Sequence, residues 1–335
     1  MINVYGSAPS DYPVEIIYSL LECKGASPYE VPKLQPINWG LGNTYGNYFP
    51  ERFSFPIPNA IDFLWLSIAE ETIYQIKAKL DTSILSKILK EWSDNNLTIA
   101  FVIGYAPKGH VYIWLKSKLK SFIAFKYIAN IKLKGYDANP FAIYGQKLSD
   151  YCVQVKENNP LLFNMNYPFK DEMKQFTYRY LIFFEEWSFN DKIWVESEKS
   201  KVAIEFDGIE ECLYDGTHDK LNDGGLLKYH QAGKPKELAI KWHIGKSEYS
   251  AYFWFEEEPI REVFDKFYGA HPDTKTDFII RIDAENRKYE LALYRYALKE
   301  PQIISQDVYQ LLVFKNKFED YRSDNYNQER GAWIW

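Results

Sequence analysis

The residues best suited to chemistry lie in one polar stretch, Asp215-Gly-Thr-His-Asp-Lys-Leu-Asn-Asp-Gly-Gly225. Carboxylate and amide oxygens are the ligands that calcium prefers, and glycines allow the sharp turns of a binding loop. The aspartates Asp215, Asp219 and Asp223 are spaced four residues apart, whereas an EF-hand takes ligands from alternate positions and ends on a glutamate. A polar turn loop is therefore favoured over a calcium site, and we predict no metal and no cofactor.

Other candidate catalytic groups are sparse. Glu185 and Glu186 form a carboxylate pair of the kind that glycosidases use, but such a pair more often marks the exposed end of a strand. The five histidines occur in no HExxH motif, and no two of the three cysteines have CxxC spacing, so a zinc site is not expected. The sequence therefore predicts a protein that is not an enzyme and has no catalytic residues.

Composition limits the function classes further. With 335 residues, 46% of them hydrophobic, the chain is long enough for two domains with their own cores. An aromatic content of 18% favours strands and binding surfaces. A net charge of −6 argues against a nucleic-acid partner, and no apolar run approaches the roughly 18 residues of a membrane span.

One stretch departs from this acidic average. Residues 116–134 alternate lysines with aromatic residues, a pattern typical of platforms for single-stranded nucleic acid. Because the whole chain is acidic, the charged outer face of a hairpin is the favoured interpretation. An acidic protein partner is a further possibility for this basic stretch.

The elements that position these residues occur twice along the chain. Residues 61–115 and 238–294 share one order: an alternating strand that ends in Trp65 or Trp242, a second strand, a short helix, and a hairpin of two further strands. The alternation predicts half-buried strands, and the apolar spacing in the helices covers one face. The sequence therefore predicts a duplication with a period of domain size.

The predicted fold follows from this repeat. We expect a strand-dominated α+β protein with two duplicated domains, residues 1–167 and 168–335. Each domain is expected to be an antiparallel sheet with a short helix, built on a ββαββ core at residues 61–115 or 238–294.

The first half also resembles a known family. The motifs that carry the resemblance, over roughly residues 8–130, are Ala8-Pro9, Tyr12-Pro13-Val14-Glu15, Trp39-Gly40, Pro56-Ile57-Pro58, Trp65, Ala69-Glu70, Tyr74, Gly104, Ala106-Pro107-Lys108-Gly109, Val111 and Trp114-Leu115. They resemble a bacterial domain family of unknown function whose members are often small envelope lipoproteins. Members of that family are similar to immunity proteins that neutralise effectors of antibacterial systems such as type VI secretion, including phospholipases. The given residues depart from that family's pattern, because they show no recognisable lipobox or signal peptide; this departure bears on the expected envelope location and not on the expected fold.

From this resemblance and the composition we expect a non-enzymatic immunity protein. It would bind one cognate toxin, one to one, and block the toxin's active site as a two-domain clamp. The candidate partner-binding residues are the aromatic and acidic side chains Trp39, Tyr45, Tyr48, Asp215, Asp219, Asp223, Trp333 and Trp335.

Two other functions fit the same residues. Exposed aromatic and acidic groups would suit an envelope glycan-binding module, and converging carboxylates or histidines would suit a hydrolase. The resemblance implies a periplasmic or envelope location, whereas a native start at Met1 would imply the cytoplasm.

Overall fold

The structure is a computed structural model, and it describes residues 2–9, 12–31, 42, 56–94, 99–117, 120–134, 142–143, 145–160, 173–188, 193–195, 204–222, 226–269, 271–283, 288–296 and 301–317. The chain divides into two compact units, unit 1 with residues 1–170 and unit 2 with residues 171–335. Strands dominate both units, and the described ranges contain three α-helices. None of the helices in those ranges is long and apolar enough to cross a membrane.

Unit 1 contains eleven described strands and two helices. The strands are β1 (Ile2–Ser7), β2 (Val14–Cys23), β3 (Tyr29–Glu30), β4 (Pro58–Ser67), β5 (Thr72–Lys79), β6 (Ile99–Ala106), β7 (His110–Lys116), β8 (Ser121–Ile128), β9 (Ile131–Lys134), β10 (Ala142–Ile143) and β11 (Gln146–Lys147). The helices are α1 (Thr82–Asp94), between β5 and β6, and α2 (Leu148–Asn158), after β11.

The strands of unit 1 form two layers. One is a five-stranded sheet in the order β3-β2-β4-β5-β9, and β1, β6, β7 and β8 lie side by side in a second sheet. A single core contains side chains of both sheets and of α1. Within it, Tyr105 of β6 contacts Phe63 and Trp65 of β4, with ring centroids 6.0 and 5.4 Å apart. The hydroxyls of Tyr105 and Ser19, which lies on β2, are 2.5 Å apart.

Helix α1 forms because its sequence supplies both a cap and an apolar face. Asp81 precedes the helix and accepts hydrogen bonds from the backbone N–H and the hydroxyl of Ser83, at 2.9 and 2.6 Å. These bonds lower the pKa of Asp81. Leu85, Leu89 and Trp92 recur on one face and are buried in the core between the sheets.

Helix α2 adds a third layer to unit 1. It covers the outer face of the five-stranded sheet, where Tyr151 and Cys152 join a second apolar cluster with Leu64 and Ile73. Tyr151 donates a hydrogen bond of 2.8 Å to the buried carboxylate of Glu15. The central strand β4 is therefore buried on both faces of the five-stranded sheet.

Unit 2 contains eleven described strands and one helix. The strands are β12 (Phe176–Ser188), β13 (Ile193–Val195), β14 (Ile204–Leu213), β15 (His218–Leu221), β16 (His230–Ala232), β17 (Pro235–Ile244), β18 (Ser247–Phe255), β19 (Thr276–Asp283), β20 (Tyr289–Tyr294), β21 (Gln302–Ile304) and β22 (Tyr309–Lys317). The helix, α3 (Glu257–Tyr268), lies between β18 and β19.

Unit 2 also has two layers around one core. One sheet has the order β13-β12-β19-β20-β21, with β16 paired to β12, and in the other β15, β14, β17, β18 and β22 lie side by side. Their side chains and those of α3 form a core rich in aromatic rings. For example, Phe176 of β12 lies 5.1 Å from Phe264 and 4.5 Å from Tyr268 of α3, measured between ring centroids.

The predicted dominance of strands is confirmed, but the predicted single antiparallel sheet in each half differs from the structure. In unit 1, β4 and β5 lie in one sheet and β6 and β7 lie in the other. Each unit also contains one parallel pair, β1 with β6 and β12 with β19. The helix after the first hairpin carries the chain across the core, so the next strand joins the opposite layer. Local periodicity reports that a strand is half-buried, but it does not report which strand is its neighbour.

The pairing irregularities of the two units fall at matching places. Where β2 pairs with β4, the register shifts between Ile16 and Tyr18, and where β14 pairs with β17 it shifts between Phe206 and Gly208. Both pairs show a second shift near the opposite end of the strand. A bulge adds one residue to a strand and increases the local twist. The sheets of the two units therefore bend at corresponding strand pairs.

Candidate functional site

The predicted acidic loop separates into a turn and a strand. Asp215 is fully buried and accepts hydrogen bonds from the backbone N–H and hydroxyl of Thr217, at 3.0 and 2.5 Å, and from Gln175 Nε2 at 3.1 Å. A Cβ added at Gly233 would lie 2.8 Å from the Asp215 carboxyl carbon, which shows how closely the backbone approaches it. Asp219 lies on β15, where its carboxylate accepts a 2.9 Å hydrogen bond from the N–H of Lys220. Asp215 therefore stabilises the turn after β14.

The other predicted contact residues lie outside the described part of the chain. They are Trp39, Tyr45, Tyr48, Asp223, Trp333 and Trp335. Their role in partner binding stays a prediction. Within the described ranges, no group of three or more His, Cys, Asp or Glu side chains is arranged to hold a metal ion.

A different polar cluster occurs between the two sheets of unit 2. Glu211 of β14 is 2% exposed, and its Oε2 accepts a 2.6 Å hydrogen bond from the hydroxyl of Tyr180 on β12. His230 of β16 approaches the same carboxylate, with Nε2 3.5 Å from Oε1. At that distance the attraction is mainly electrostatic. The rings of Tyr178 and Tyr180 pack against the imidazole, with centroids 5.3 and 6.2 Å away.

Burial and charge set the protonation of this cluster. Burial and the Glu211 charge raise the pKa of Tyr180 well above its ordinary value, so the phenol remains a hydrogen-bond donor at neutral pH. Burial alone would lower the pKa of His230, but the hydrogen bonding and charge of Glu211, together with the backbone carbonyl of Lys228 and the charge of Asp219, outweigh it and the net pKa is raised. The cluster therefore holds a charged or readily charged histidine against a buried carboxylate.

Sequence reasoning missed this cluster, although one signal was present. Along β14, Ile209, Glu211 and Leu213 share the buried face of an alternating strand, so a carboxylate stands at a core position. A buried carboxylate needs partners, and that need marks the position as unusual. No pattern in the sequence identifies His230 as one of those partners.

Five of the motif residues that carry the family resemblance meet at one end of unit 1. The Glu70 carboxylate accepts hydrogen bonds of 3.1 Å from the Tyr74 hydroxyl and from the Lys108 backbone N–H. Burial and the Glu70 charge raise the pKa of Tyr74 and of Tyr12. Gly109, at φ +77°, lies so close to Tyr74 that an added Cβ would be 2.7 Å from the ring. We call these five residues the turn network.

The turn network joins three separate stretches of chain. Tyr12 precedes β2, Glu70 and Tyr74 belong to the turn and strand after β4, and Lys108 with Gly109 forms the turn between β6 and β7. Lys108 itself has φ 61°, a left-handed conformation that costs a non-glycine residue about 1–2 kcal/mol. The hydrogen bond from its N–H to Glu70 offsets part of that cost, so the network fixes the geometry of this end of the unit.

A third feature lies on the surface of unit 1. Ile128, at the end of β8, is 62% exposed, and Ile131, at the start of β9, is 42% exposed. Lys126, Lys132 and Lys134 are exposed beside them. We call these five residues the β9 edge: three lie on β9, the last strand of the five-stranded sheet, and Lys126 and Ile128 lie on β8, which precedes it in the chain.

Comparison with known proteins identifies the family of this chain. No curated protein and no solved structure matches it. Residues 3–179 match the model of a family described as proteins of unknown function, DUF2931. The match includes the turn network and the β9 edge, and it excludes Glu211 and His230. Because it covers more than half of the 335 residues, this chain belongs to the DUF2931 family.

Proposed function

We propose that this protein is a non-enzymatic binding protein of the bacterial envelope, an immunity protein that neutralises one secreted toxin. It acts by steric occlusion: bound at the entrance of the toxin's active site, it keeps substrate out and performs no chemistry of its own. Phospholipase effectors are the partner class that the family resemblance suggests.

The β9 edge is the observation that carries this proposal. Two large aliphatic side chains, Ile128 and Ile131, are exposed within four residues of chain, and exposed lysines precede and follow them at positions 126, 132 and 134. Single exposed apolar residues are common on any protein, but two large ones so close in the chain, among exposed lysines, favour a protein-binding surface. The acidic groups of the turn network and of the Glu211 cluster, by contrast, are already bound within their own units.

Internal duplication belongs to the same proposal, and a repeated stack of side chains supports it. In each unit a buried Trp at the end of one hairpin strand stacks on a Tyr of the next strand, with centroids 5.5 Å apart in unit 1 and 5.6 Å in unit 2. A lysine of the neighbouring edge strand lies over that Tyr ring, at 5.6 and 5.2 Å. The two stacks are Trp65, Tyr74 and Lys132 in unit 1, and Trp242, Tyr249 and Lys315 in unit 2. The shared parallel pairs and bulges favour the same origin.

The test is neutralisation of the toxin encoded beside this protein. The purified full chain is mixed with that toxin, and the complex is sized by light scattering while the toxin's activity is measured. We expect a one-to-one complex and loss of activity at equimolar protein. Active toxin in the presence of a tenfold excess of this chain would falsify the proposal.

A hydrolase is the second candidate, because Glu211, His230 and Tyr180 converge in unit 2. Glu211 is 2% exposed and each of its oxygens already faces a neighbour, which favours a structural role. A screen of ester and glycoside substrates with the wild type and Glu211→Gln decides between the two. Turnover that Glu211→Gln abolishes would favour the hydrolase, and absence of turnover in both favours the binding protein.

A further inference from the structure

We infer that the β9 edge binds an extended acidic segment of the partner, which adds to the five-stranded sheet as a further strand. The inference rests on the proposed function and names the chemistry of the partner. Its three supports are the position of β9 in the sheet, the exposed isoleucines and the local charge.

The backbone of β9 offers a place for an added strand. Over residues 131–134 it pairs in antiparallel fashion with β5, from Gln75 opposite Ile131 to Thr72 opposite Lys134. In the described ranges no strand pairs with its other side. An edge strand presents N–H and C=O groups to solvent on that side, and an extended peptide can bond to them.

The side chains give this edge an apolar contact. Ile131 lies directly opposite Gln75 and is 42% exposed, and Ile128, three residues earlier, is 62% exposed. Leu133 of the same strand packs partly against the cluster under α2. An added strand would cover Ile131 and leave Leu133 in its present contacts.

The local charge selects an acidic segment. Residues 116–134 contain six lysines and no Asp or Glu, although the chain as a whole has a net charge of −6. Lys132 and Lys134 are exposed on β9 itself and Lys126 is exposed on β8, and Lys132 Nζ lies 5.6 Å from the centre of the Tyr74 ring. Carboxylates on an added strand would meet these ammonium groups, and salt would screen the attraction.

Lysines on an edge strand often serve to prevent pairing. Protection of that kind needs charge alone and gains nothing from exposed isoleucines. The exposure of Ile131 on β9, with exposed Ile128 three residues before it, therefore favours a binding edge. A single-stranded nucleic acid would satisfy the lysines as well, but it could not pair with the backbone of β9.

The experiment titrates the full-length chain with three probes. They are a nine-residue peptide of alternating Glu and Val, the matching peptide of alternating Lys and Val, and an oligothymidine of similar length. We expect the acidic peptide to bind with micromolar affinity, at least tenfold tighter than the other two, and to weaken as salt is raised. Hydrogen exchange on the same complex should show new protection at residues 131–134.

The variant Lys132→Glu/Lys134→Glu should bind the acidic peptide at least tenfold more weakly. Lys24→Glu/Lys236→Glu makes the same change of net charge at exposed lysines away from β9 and should bind as the wild type does. Equal binding by both variants, tighter binding of oligothymidine, or protection elsewhere than β9 would each overturn the inference.

The same variants separate this inference from the proposed function. If the wild type neutralises the toxin and Lys132→Glu/Lys134→Glu does so equally well, the function stands and the edge is not its surface. If the wild type fails to bind the toxin, the immunity proposal is lost, and the peptide titration alone decides whether β9 is a binding edge.

Discussion

Single residues in the turn network show how a short motif fixes a fold locally. Gly109 is needed for two separate reasons, its φ of +77° and the Tyr74 ring that would lie 2.7 Å from a Cβ. Glu70 is needed because its carboxylate accepts hydrogen bonds from the Tyr74 hydroxyl on β5 and from the Lys108 N–H in the turn between β6 and β7. The buried carboxylates Glu211 and Asp215 act in a similar way in unit 2, where each connects two or more stretches of chain.

Gly109→Ala should destabilise unit 1 by about 2–4 kcal/mol, because a left-handed alanine costs about 1–2 kcal/mol and the contact with Tyr74 adds overpacking. Gly25→Ala is the matched control, since Gly25 has φ +76° and nothing within 4 Å of the added Cβ. Urea unfolding of both variants gives the difference. Equal losses of unfolding free energy at the two positions would mean that the close contact with Tyr74 does not contribute to the destabilisation.

His230 should make the stability of unit 2 depend on pH. Its pKa is raised in the folded protein, so the stabilisation is complete below the ordinary value near 6.5 and is lost as pH rises through the folded value. The groups that face it are Glu211, Tyr178, Tyr180, the backbone carbonyl of Lys228 and, at longer range, Asp219. We therefore expect His230→Gln to destabilise the protein more at pH 6 than at pH 8.5.

Denaturant unfolding at both pH values measures this effect. His271→Gln replaces an exposed histidine and serves as the control. A destabilisation by His230→Gln that is the same at pH 6 and pH 8.5 would contradict the proposed attraction to Glu211 and would point to packing alone.

At the scale of elements, α2 shows how a helix can complete a sheet. The face of the five-stranded sheet that holds Leu64 and Ile73 would be exposed without it. Cys152 lies at the centre of that contact and is fully buried, whereas Cys212 of β14 is exposed. The thiol of Cys152 therefore reports whether α2 is docked.

Cys152 should resist maleimide in the native protein, whereas Cys212 reacts. Burial raises the pKa of Cys152 to about 12 from 9.0, which leaves on the order of a thousandfold less thiolate at neutral pH. Mass spectrometry after timed labelling gives the two rates, and labelling in urea confirms that both thiols can react. Comparable native rates would mean that α2 leaves the sheet easily.

At the scale of the whole molecule, the two compact units set the expected pattern of local unfolding. Trp65 and Trp242 are fully buried, one in the core of each unit. Trp65→Leu and Trp242→Leu should each cost on the order of 2–4 kcal/mol, because each leaves a large cavity. We expect each substitution to speed hydrogen exchange in its own unit and to leave the other unit at wild-type rates.

Hydrogen exchange followed by mass spectrometry resolves the two units by peptide. Each variant is the control for the other, because the unit that is unsubstituted in one variant is the substituted unit in the other. Acceleration throughout the chain in both variants would show that the units unfold as one cooperative body.

The sequence by itself determined the strands of the two repeated stretches (β4 to β7 and β17 to β20), α1, α3 and the dominance of β-structure, because alternation and helical spacing are local and report burial directly. Its motifs also indicated a family of unknown function for the first half, and five of the motif residues form the turn network. Only the tertiary structure decided which strands are neighbours, since pairing depends on contacts between residues far apart in the chain. The parallel pair of β1 with β6, the meeting of Glu211 with His230 and the exposure of Ile128 and Ile131 all depend on such contacts. The sequence does not show whether a given apolar residue is buried in a core or exposed to solvent. The candidate binding edge could therefore be identified only from the tertiary structure.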